Sequence, residues 1–598
     1  MSSDTQSFAA ILPQVITAVE TVGAMIRAEF HRPGGPRGTT HKAAVDTEAE
    51  LFLKNELMSL HPASWLGEET DSCEADCSDI WIVDPHDGTA DFMNGLRGSA
   101  VSVALLSEGR PVLGVVFAPT APDDSGDMIS WALGAELIRN GRAVEPEPTS
   151  GNPVIALNAD AANYALPNHI SFGGARVRPL PSPAYRAALA AVGEVDAAMS
   201  LVQGLSSWDI AGGHALLIGA GKTMVQLDGQ ELNYASNWFQ GFIAGSADIV
   251  CRLSSVQVFS SGRIDRKPAV PSTRTGSASL LSRAHGTILG QLAGDALGSF
   301  VEFLDAQTIL DRHPEGVVDL RDGGTWNLIS GQPTDDSEMA LALARSICAR
   351  NRYVGDDVAQ AYIDWRNSGP FDIGHTTSSA ISALEAGELV QSESQANGAL
   401  MRACPIGIFS VGNPKLAALL ARQDASLTHP NGITMAANAA FVAAISVGIA
   451  GGKEEEMWAA AYSHAGDDEG ADIVRSRLLE ARSNRPQDFQ NQMGWVLTAF
   501  QNAFFCLMAG QSLRDAVVGT VACGGDTDTN GAICGALLGA SQGRDAVPIQ
   551  WRNAILSCRP VAAVGVNHPR PQTYWPDDAL DLAEALLVAG SAHHLAAF

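Results

Sequence analysis

Two carboxylates stand close together after an apolar run in the first half of the sequence. The run is DIWIVDPHDGT, residues 79–89, and it places Asp84 and Asp87 three residues apart. Residues 80–83 predict a buried strand, and Pro85 is expected to stop it because proline cannot donate a hydrogen bond to a sheet. Two carboxylates at the end of a buried strand repel each other unless a cation holds them. Oxygen ligands of this kind suit a hard dication such as Mg²⁺.

The turn that follows predicts an anion site. Gly88 and Thr89 open a helix, and backbone N–H groups at a helix N-terminus face an anion favourably. Metal ligands beside such a cradle are the parts that metal-assisted phosphate hydrolysis needs. The competing interpretation is a turn in which Asp only caps a helix. Further acidic residues favour the site: Glu68 in a Gly-Glu-Glu run, Asp46 near a helix start, and Asp209 in a Trp-Asp-Ile-Ala-Gly run.

In their order and spacing, the motifs GEE, DPxDGT and WDxAxG resemble the inositol monophosphatase family of Mg²⁺-dependent sugar phosphatases over about residues 1–262. A Gly-Ala pair followed by Asn140-Gly141 resembles a hairpin of that family. The mechanism implied by the resemblance is in-line attack of a metal-activated hydroxide on phosphorus. The implied metal ligands are Glu68, Asp84, Asp87, Asp209 and the main-chain carbonyl of His86, with Thr89 and Asp46 paired to orient water and with Gly88 and Thr89 on the phosphate.

The sequence departs from this family at two places. His86 stands where the family usually has an aliphatic residue, and only its backbone is given a role. The segment PSPAYR, residues 181–186, stands where the family usually has a Gly-Ser pair, in a region that helps to select the substrate. A nucleotide or sugar phosphate is therefore as well supported as an inositol phosphate.

Three further carboxylate clusters lie in the second half of the sequence. They are GDALGSFVE at 294–302, TDDSE at 334–338 and GGDTDTNG at 524–531. Acidic residues near a helix N-terminus commonly act as caps, so the second cluster alone has an ordinary explanation. The third cluster places two carboxylates and a hydroxyl on one turn, as a hard dication requires. Glycines then recur every four residues at 531, 535 and 539, which lets a helix or a ligand approach closely.

These clusters, with FDIG, NGALMR, TH and GWV between them, resemble the ADP-ribosylglycohydrolase family over about residues 281–598. The resemblance implies an all-α bundle with two Mg²⁺ ions between helix ends. It implies metal ligation by Thr334, Asp335, Asp336, Asp526, Asp528 and Thr529, an ADP-ribose pocket lined by Asp372, Asn397, Gly398, Met401 and His429, and acid–base work by Asp335 or by the mobile acid Glu302. The group cleaved from ADP-ribose stays open between arginine, serine and a small ester.

The composition sets the remaining expectations. A chain of 598 residues is too long for one core, and its net charge of −28 argues against nucleic acid or an anionic membrane as a partner. Nine cysteines without zinc-ligand spacing indicate reduced thiols, and the first thirty residues lack a signal pattern, so the cytoplasm is expected. The uncharged stretch 433–452 is interpreted as a buried helix.

The domain organisation follows from a change in the predicted secondary structure at KPAVPSTRTGSAS, residues 267–279. Strand-like and helical runs alternate before this linker, and helical runs dominate after it. We expect an α/β layered sugar-phosphatase fold at 1–262, a linker at 263–280 and an all-α bundle at 281–598. The expected substrates are a phosphorylated small molecule and an ADP-ribosylated protein or small conjugate.

The alternatives are a first domain that binds or regulates without catalysis, a second domain that binds ADP-ribose without hydrolysing it, and a structural scaffold. A homodimer through the first domain stays open.

Overall fold

The computed structural model describes residues 5–145, 151–202, 204–256 and 274–596. The chain divides into two compact units, Met1–Arg266 and Lys267–Phe598. Most of the expected linker lies outside the described residues, and a helix already begins at Ala278. The fold class expected for each half is confirmed, since strands and helices alternate in unit 1 and helices dominate unit 2.

Unit 1 contains two larger sheets in its described residues. A seven-stranded sheet has the order β3-β4-β5-β6-β7-β8-β9, and a five-stranded sheet has the order β11-β10-β12-β16-β14. The strands are β1 (Gly38–Thr39), β2 (Lys42–Ala43), β3 (Ser64–Gly67), β4 (Asp79–Asp87), β5 (Ala100–Ser107), β6 (Arg110–Ala118), β7 (Asp127–Ala132), β8 (Ile138–Arg139), β9 (Arg142–Ala143), β10 (Val154–Asn158), β11 (Arg176–Leu180), β12 (Ala197–Ser200), β13 (Leu205–Ser206), β14 (Thr223–Val225), β15 (Trp238–Phe239) and β16 (Phe242–Gly245).

Helices cover the two sheets and separate them. They are α1 (Thr5–Phe30), α2 (Ala44–Leu60), α3 (Thr89–Met93), α4 (Ala165–Ser171), α5 (Pro183–Ala191), α6 (Ser207–Gly219) and α7 (Ala247–Leu253). Helices α1 and α2 pack on one face of the larger sheet. Helix α6 packs on that sheet and on α5, and α5 packs on the smaller sheet. Helix α7 packs on β14 and β16 of the smaller sheet. The alternation along β10 shows the layering, because Val154 and Ala156 join one core while Ile155 and Leu157 join another.

At the DPxDGT motif, strand β4 extends further along the chain than the sequence predicts. Strand β4 runs through Pro85 to Asp87, and its pairing with β5 shifts between Asp84 and Asp87. The prediction that Pro85 stops the strand is therefore wrong. A bulge lets proline stay within the strand without breaking a ladder hydrogen bond, and it turns both carboxylates toward the strand end. The hairpin expected at Asn140-Gly141 is present, joining β8 to β9 with both residues at positive φ.

The described part of unit 2, residues 274–596, is built from helices. They are α8 (Ala278–Gly298), α9 (Ala306–Arg312), α10 (Asp335–Arg350), α11 (Gly355–Asn367), α12 (His375–Glu385), α13 (Cys404–Phe409), α14 (Pro414–Ser426), α15 (Gly432–Ile449), α16 (Glu454–His464), α17 (Glu469–Ala481), α18 (Val496–Met508), α19 (Leu513–Val521), α20 (Thr527–Gln542), α21 (Ile549–Leu556) and α22 (Ala579–Ala596). One large core joins most of them.

Two helices are long and apolar enough to cross a membrane by length and composition, at Phe8–Phe30 and Gly432–Ile449. The second is α15, which covers most of the stretch interpreted as a buried helix. It packs against α14, α16 and α17, and 78% of its residues are buried. That burial is typical of a core helix, and such helices are weak evidence for a membrane span.

The glycine stripe of α20 faces the backbone of α8. A Cβ on Gly535 would lie 2.0 Å from the carbonyl oxygen of Gly290, a Cβ on Gly539 would lie 2.0 Å from that of Gly286, and a Cβ on Gly531 would lie 2.6 Å from that of Gly294. The sequence left open whether a helix or a ligand approaches the glycine stripe, and the structure shows that a helix does. This contact fixes the N-terminus of α20, which carries Asp526 and Asp528, against the end of α8.

The buried ion pair between Glu338 and Arg570 connects the start of α10 with the segment before α12. Arg570 donates to both carboxylate oxygens of Glu338, at 2.7 and 2.8 Å, and to the carbonyls of Ser368 and Gly369 at 3.1 Å each. Both charged side chains are almost fully buried. Because Phe371 and Asp372 follow directly, the pair fixes the position of that segment.

We expect Gly535→Ala to lower the free energy of unfolding by about 1–3 kcal/mol or more, because its Cβ would overlap a backbone that cannot move alone. Thermal unfolding followed by far-UV circular dichroism on the full chain measures the loss. Gly355→Ala is the matched control, since Gly355 begins α11 with nothing within 4 Å of its added Cβ. Equal stability of both variants would contradict the close contact.

We expect Arg570→Met to lower the free energy of unfolding by about 3–5 kcal/mol, because it leaves the Glu338 carboxylate buried without its positively charged partner and with only the Trp365 indole N–H donating to it. The double variant Glu338→Gln with Arg570→Met should lose less than Arg570→Met alone. Arg350→Met removes an exposed pair with Asp357 and should cost no more than about 1 kcal/mol. Denaturant titration of the variants tests the order, and equal losses for the two single variants would refute it.

Candidate functional sites

The first site forms where the β4 bulge meets the N-terminus of α6. One oxygen each of Asp84, Asp87 and Asp209 lies within 4.8 Å of the others. Asp209 stands in the first turn of α6 and accepts a hydrogen bond from the Ser206 N–H at 2.6 Å. The fold thus brings together carboxylates from two motifs that are far apart in the sequence.

The acid–base behaviour of this cluster shows how closely its charges are held. Burial and the charge of Asp209 raise the pKa of Asp87 to about 8, and burial raises the pKa of Asp209 to about 6. Burial and the charges of Glu68 and Asp87 raise the pKa of Asp84 well above its usual value. Glu68 is more open to solvent, yet desolvation and the charge of Asp209 raise its pKa to about 7. Such a cluster favours binding of a dication.

Glu50 holds the loop that presents Glu68. Its buried carboxylate accepts hydrogen bonds from the N–H groups of Glu69 and Thr70 at 2.7 and 2.8 Å, and from the Thr70 hydroxyl at 2.6 Å. Sequence reasoning missed Glu50. The only signal was an acidic residue on the inward face of an amphipathic helix.

The pair expected between Thr89 and Asp46 does not form in the described structure. Asp46 accepts from the Ala43 N–H at 2.8 Å, and its other oxygen lies 2.7 Å from Nδ1 of His86. The Thr89 hydroxyl donates instead to the His86 carbonyl at 2.7 Å, the same carbonyl expected to bind metal. The His86 side chain, which the sequence interpretation left without a role, is therefore the direct partner of Asp46.

His86 also contacts the next strand. Its Nε2 lies 3.0 Å from the Ser99 hydroxyl, and its ring meets Phe92 edge-on at 4.3 Å between centroids. An aliphatic residue at this position could not hold a carboxylate, so the departure from the family pattern changes the contacts of Asp46.

The PSPAYR segment supports Asp87 directly. The Ser182 hydroxyl and the Ala184 N–H both donate to one oxygen of Asp87, at 2.5 and 2.8 Å. Arg186, fully buried, donates to the carbonyls of Leu180 and Pro181 at 2.8 and 2.5 Å and so anchors the segment. Gly88 closes on the same segment, because a Cβ there would lie 3.0 Å from the Ser182 nitrogen.

The second site forms where the N-termini of α10 and α20 meet the loop after α8. Glu302, Asp526 and Asp528 each offer an oxygen within 4.8 Å of the others. Asp335 and Asp336 open α10, and burial and the charge of Asp526 are among the causes that raise the pKa of Asp336. All the acidic residues expected as metal ligands in this half are thus brought together.

Repulsion within this second cluster is strong. Burial and the charges of Asp372 and Asp526 raise the pKa of Glu302 to about 8. Burial and neighbouring carboxylates also raise the pKa values of Asp335, Asp336 and Asp528 well above the usual value. None of these four forms an ion pair with a basic side chain in residues 274–596, the part of this unit that the structure describes.

Asp295 supports the cluster from α8. It accepts from the Thr334 N–H at 3.2 Å, from the Thr334 hydroxyl at 3.0 Å and from the Ser337 N–H at 3.2 Å. Burial raises its pKa to about 7. The Thr334 hydroxyl also donates to Asp336 at 3.1 Å, whose second oxygen Oδ1 is buried without a hydrogen-bond partner. Sequence reasoning had noticed Asp295 in the GDALG run but gave it no role.

A pocket wall adjoins the α20 carboxylates. The Asn397 amide donates to Asp526 at 2.6 Å. Gly398 lies against His429, since a Cβ there would be 3.2 Å from the imidazole Nε2, which has no hydrogen-bond partner. Burial and the charge of Arg402 lower the pKa of His429 to about 3, so the ring is neutral.

Two expected substrate residues need comment. Met401 is buried, with only 4% of its surface exposed. Asp372, expected to contact ribose, is partly buried, and desolvation together with the charge of Asp526 raises its pKa.

The residues of both sites fit hard dications. Each holds buried carboxylates with raised pKa values, and the second also holds the unpartnered Oδ1 of Asp336. Oxygen-only clustering of this kind matches the preference of Mg²⁺.

Comparisons with known proteins agree with this division. The family model for ADP-ribosylglycohydrolase matches residues 276–591, and the model for the inositol monophosphatase family matches residues 9–255. The ADP-ribosyl dinitrogen reductase glycohydrolase of Rhodospirillum rubrum is 29% identical over 279 residues, which cover 46% of this chain and 90% of that protein.

One further relative is given for each half of the chain. The ADP-ribosylarginine hydrolase Tri1 of Pseudomonas putida (strain GB-1) is 26% identical, over 45% of this chain and 73% of its own length. The inositol-1-monophosphatase of Rhizobium meliloti (strain 1021) is 28% identical, over 37% of this chain and 86% of its own length. Both family models describe hydrolases. The chain therefore belongs to the ADP-ribosylglycohydrolase family through its second half and carries an inositol monophosphatase family domain in its first half.

Proposed function

We propose that the chain is a bifunctional Mg²⁺-dependent hydrolase. Its second unit removes ADP-ribose from a protein side chain or a small conjugate, and its first unit cleaves a phosphate monoester. The observation that carries the proposal is one convergent carboxylate cluster in each unit, formed by Asp84, Asp87 and Asp209 and by Glu302, Asp526 and Asp528. The resemblance to the two families implies metal ligation by all of these residues except Glu302, for which it implies a mobile acid.

In the second unit, Thr334, Asp335, Asp336, Asp526, Asp528 and Thr529 are the proposed ligands of two ions. When bound, the ions supply positive charge that binds the ribose hydroxyls and polarises the anomeric centre. Asn397 fixes the orientation of Asp526, and the proposed ADP-ribose side of the site is the segment of Asn397 and Gly398, which packs against His429. Asp335 or Glu302 holds the proton that water loses or the leaving group gains.

In the first unit, Glu68, Asp84, Asp87, Asp209 and the His86 carbonyl are the proposed metal ligands. When bound, the ions neutralise charge on the attacking and leaving oxygens. Gly88 and Thr89 present N–H groups to the phosphate. Because Asp46 pairs with His86, the water is oriented by Thr89 together with the His86–Asp46 pair in this proposal. A sugar, inositol or nucleotide phosphate fits these features equally.

The competing function is an ADP-ribosyl hydrolase whose first unit binds or regulates without catalysis. The departure at PSPAYR favours it to the extent that the segment differs where substrate is selected. The complete carboxylate set of the first unit favours catalysis, and the phosphate assay below decides between the two.

We expect Asp526→Asn to lower ADP-ribose release by at least about a hundredfold, because the variant removes a charge from the ligand set. The assay measures free ADP-ribose from ADP-ribosylated arginine and serine peptides with and without Mg²⁺. Mg²⁺ should also raise the melting temperature of the wild-type chain more than that of the variant. The control is Asp515→Asn on the exposed side of α19. Release that is independent of Mg²⁺ would refute the metal assignment.

We expect Asp87→Asn to abolish phosphate release by the full chain, since Asp87 is held at the centre of the first cluster by Ser182 and Ala184. The measurement is inorganic phosphate from a panel of inositol, sugar and nucleotide monophosphates. Asp228→Asn, at an exposed turn, should leave the rate unchanged. If the wild-type chain releases no phosphate from any member of the panel, the non-catalytic interpretation of the first unit holds instead.

A further inference from the structure

The PSPAYR segment, residues 181–186, stands in a region that was expected to help select the substrate of the first site. In the structure it forms the start of α5, which begins at Pro183. The start of a helix binds an anion through backbone N–H groups that have no other partner. The part that this segment plays therefore depends on what its first N–H groups bind.

The first turn of α5, residues 183–185, offers no free N–H group. Pro183 opens the helix and has no N–H to donate. The Ala184 N–H donates to the Asp87 carboxylate at 2.8 Å. The Tyr185 N–H donates to the Ser182 hydroxyl oxygen at 2.9 Å. The donors of this turn are thus used by a candidate metal ligand and by the helix cap, and none is left for a substrate anion.

Ser182 is held in a strained backbone conformation. Its φ is +26°, in a region that residues with a side chain rarely adopt. Its buried hydroxyl donates to Asp87 at 2.5 Å while it caps α5. Glycine would take this φ without strain, but it would bring no hydroxyl. Strain of this kind persists only where the surrounding structure imposes it, and it is concentrated at functional sites.

Arg186 helps to impose this conformation. Its buried guanidinium donates to the carbonyls of Leu180 and Pro181 at 2.8 and 2.5 Å, and to the carbonyl of Met199 at 3.2 Å. These bonds tie the residues just before Ser182 to strand β12. The backbone at Ser182 is therefore fixed by contacts outside the first turn of α5.

We propose that Ser182 is a positioning residue for Asp87, and that the start of α5 serves the binding of the cation rather than the choice of substrate. The inference rests on the proposed function of unit 1, in which Asp87 is a metal ligand. One oxygen of Asp87 accepts both the Ser182 hydroxyl and the Ala184 N–H, which leaves the other oxygen for a cation. A carboxylate that is already held in place loses less conformational freedom when it binds an ion, so the affinity is higher.

The first test compares Ser182→Gly and Ser182→Ala, as full chains, in the phosphate-release assay. Both variants lose the hydroxyl, and only alanine keeps the strain. Both should raise the Mg²⁺ concentration for half-maximal rate by about tenfold to a hundredfold. The kcat at saturating Mg²⁺ and the KM of each phosphate in the panel should change by less than about threefold. In the absence of Mg²⁺, Ser182→Gly should melt at or above the temperature of Ser182→Ala.

Direct binding of Mg²⁺ gives a readout that needs no catalysis. Isothermal titration calorimetry with Mg²⁺ alone uses chains that also carry Asp526→Asn and Asp528→Asn, so that the second site does not contribute. The dissociation constant should rise by about tenfold or more in both Ser182 variants. Ser246→Ala is the matched control, because the Ser246 hydroxyl caps α7 at an ordinary φ of −64°.

The outcomes separate the inference from the function on which it rests. A wild-type Mg²⁺ affinity in Ser182→Gly would show that the hydroxyl has no role and would overturn the inference. A changed KM for some phosphates of the panel and not for others would assign the segment to substrate selection and would also overturn it. So would an equal loss of Mg²⁺ affinity in Ser246→Ala. If the wild-type chain releases no phosphate but both Ser182 variants bind Mg²⁺ more weakly, the phosphatase function fails and the positioning role stands.

Discussion

The repulsion between buried carboxylates is the constraint on which both units depend. Asp84, Asp87 and Asp209 in one unit, and Glu302, Asp526 and Asp528 in the other, are held within 4.8 Å of one another. Left alone, such groups would move apart or take up protons. In each cluster the surrounding backbone holds the carboxylates together, and their raised pKa values show the repulsion that a proton or a cation would relieve. Other features of the fold hold that backbone in place.

The two units meet this constraint with different elements. Unit 1 uses a bulged strand and a helix start, and hydrogen bonds from Ser182 and Ala184 keep Asp87 in place. Unit 2 uses helix starts and the loop after α8, and the glycine contact between α8 and α20 brings two helix backbones closer than any side chain would allow. The N–H groups at helix starts lower the cost of gathering negative charge in both cases. The α/β unit and the helical unit thus form the same kind of carboxylate site from different secondary-structure elements.

The residues within each motif could be identified from the sequence. The distant residues that hold the motifs in position could not. Both fold classes were predicted correctly, and the candidate ligands could be proposed, because local runs such as DPxDGT and GGDTDT place several oxygen groups on one turn. Glu50, Asp295 and the Glu338–Arg570 pair were not, because their partners come from distant positions or from backbone N–H groups. The expected Thr89–Asp46 pair was wrong for a related reason. A single changed side chain, His86, competes for Asp46, and only the packed structure shows which partner is reached.

The net charge of −28 bears on how both sites recognise substrate. Phosphates and ADP-ribose are anions, so the long-range field of the chain opposes their approach. In the proposed function, their binding comes from short-range sources, which are backbone N–H groups and the cations that the two carboxylate clusters would hold.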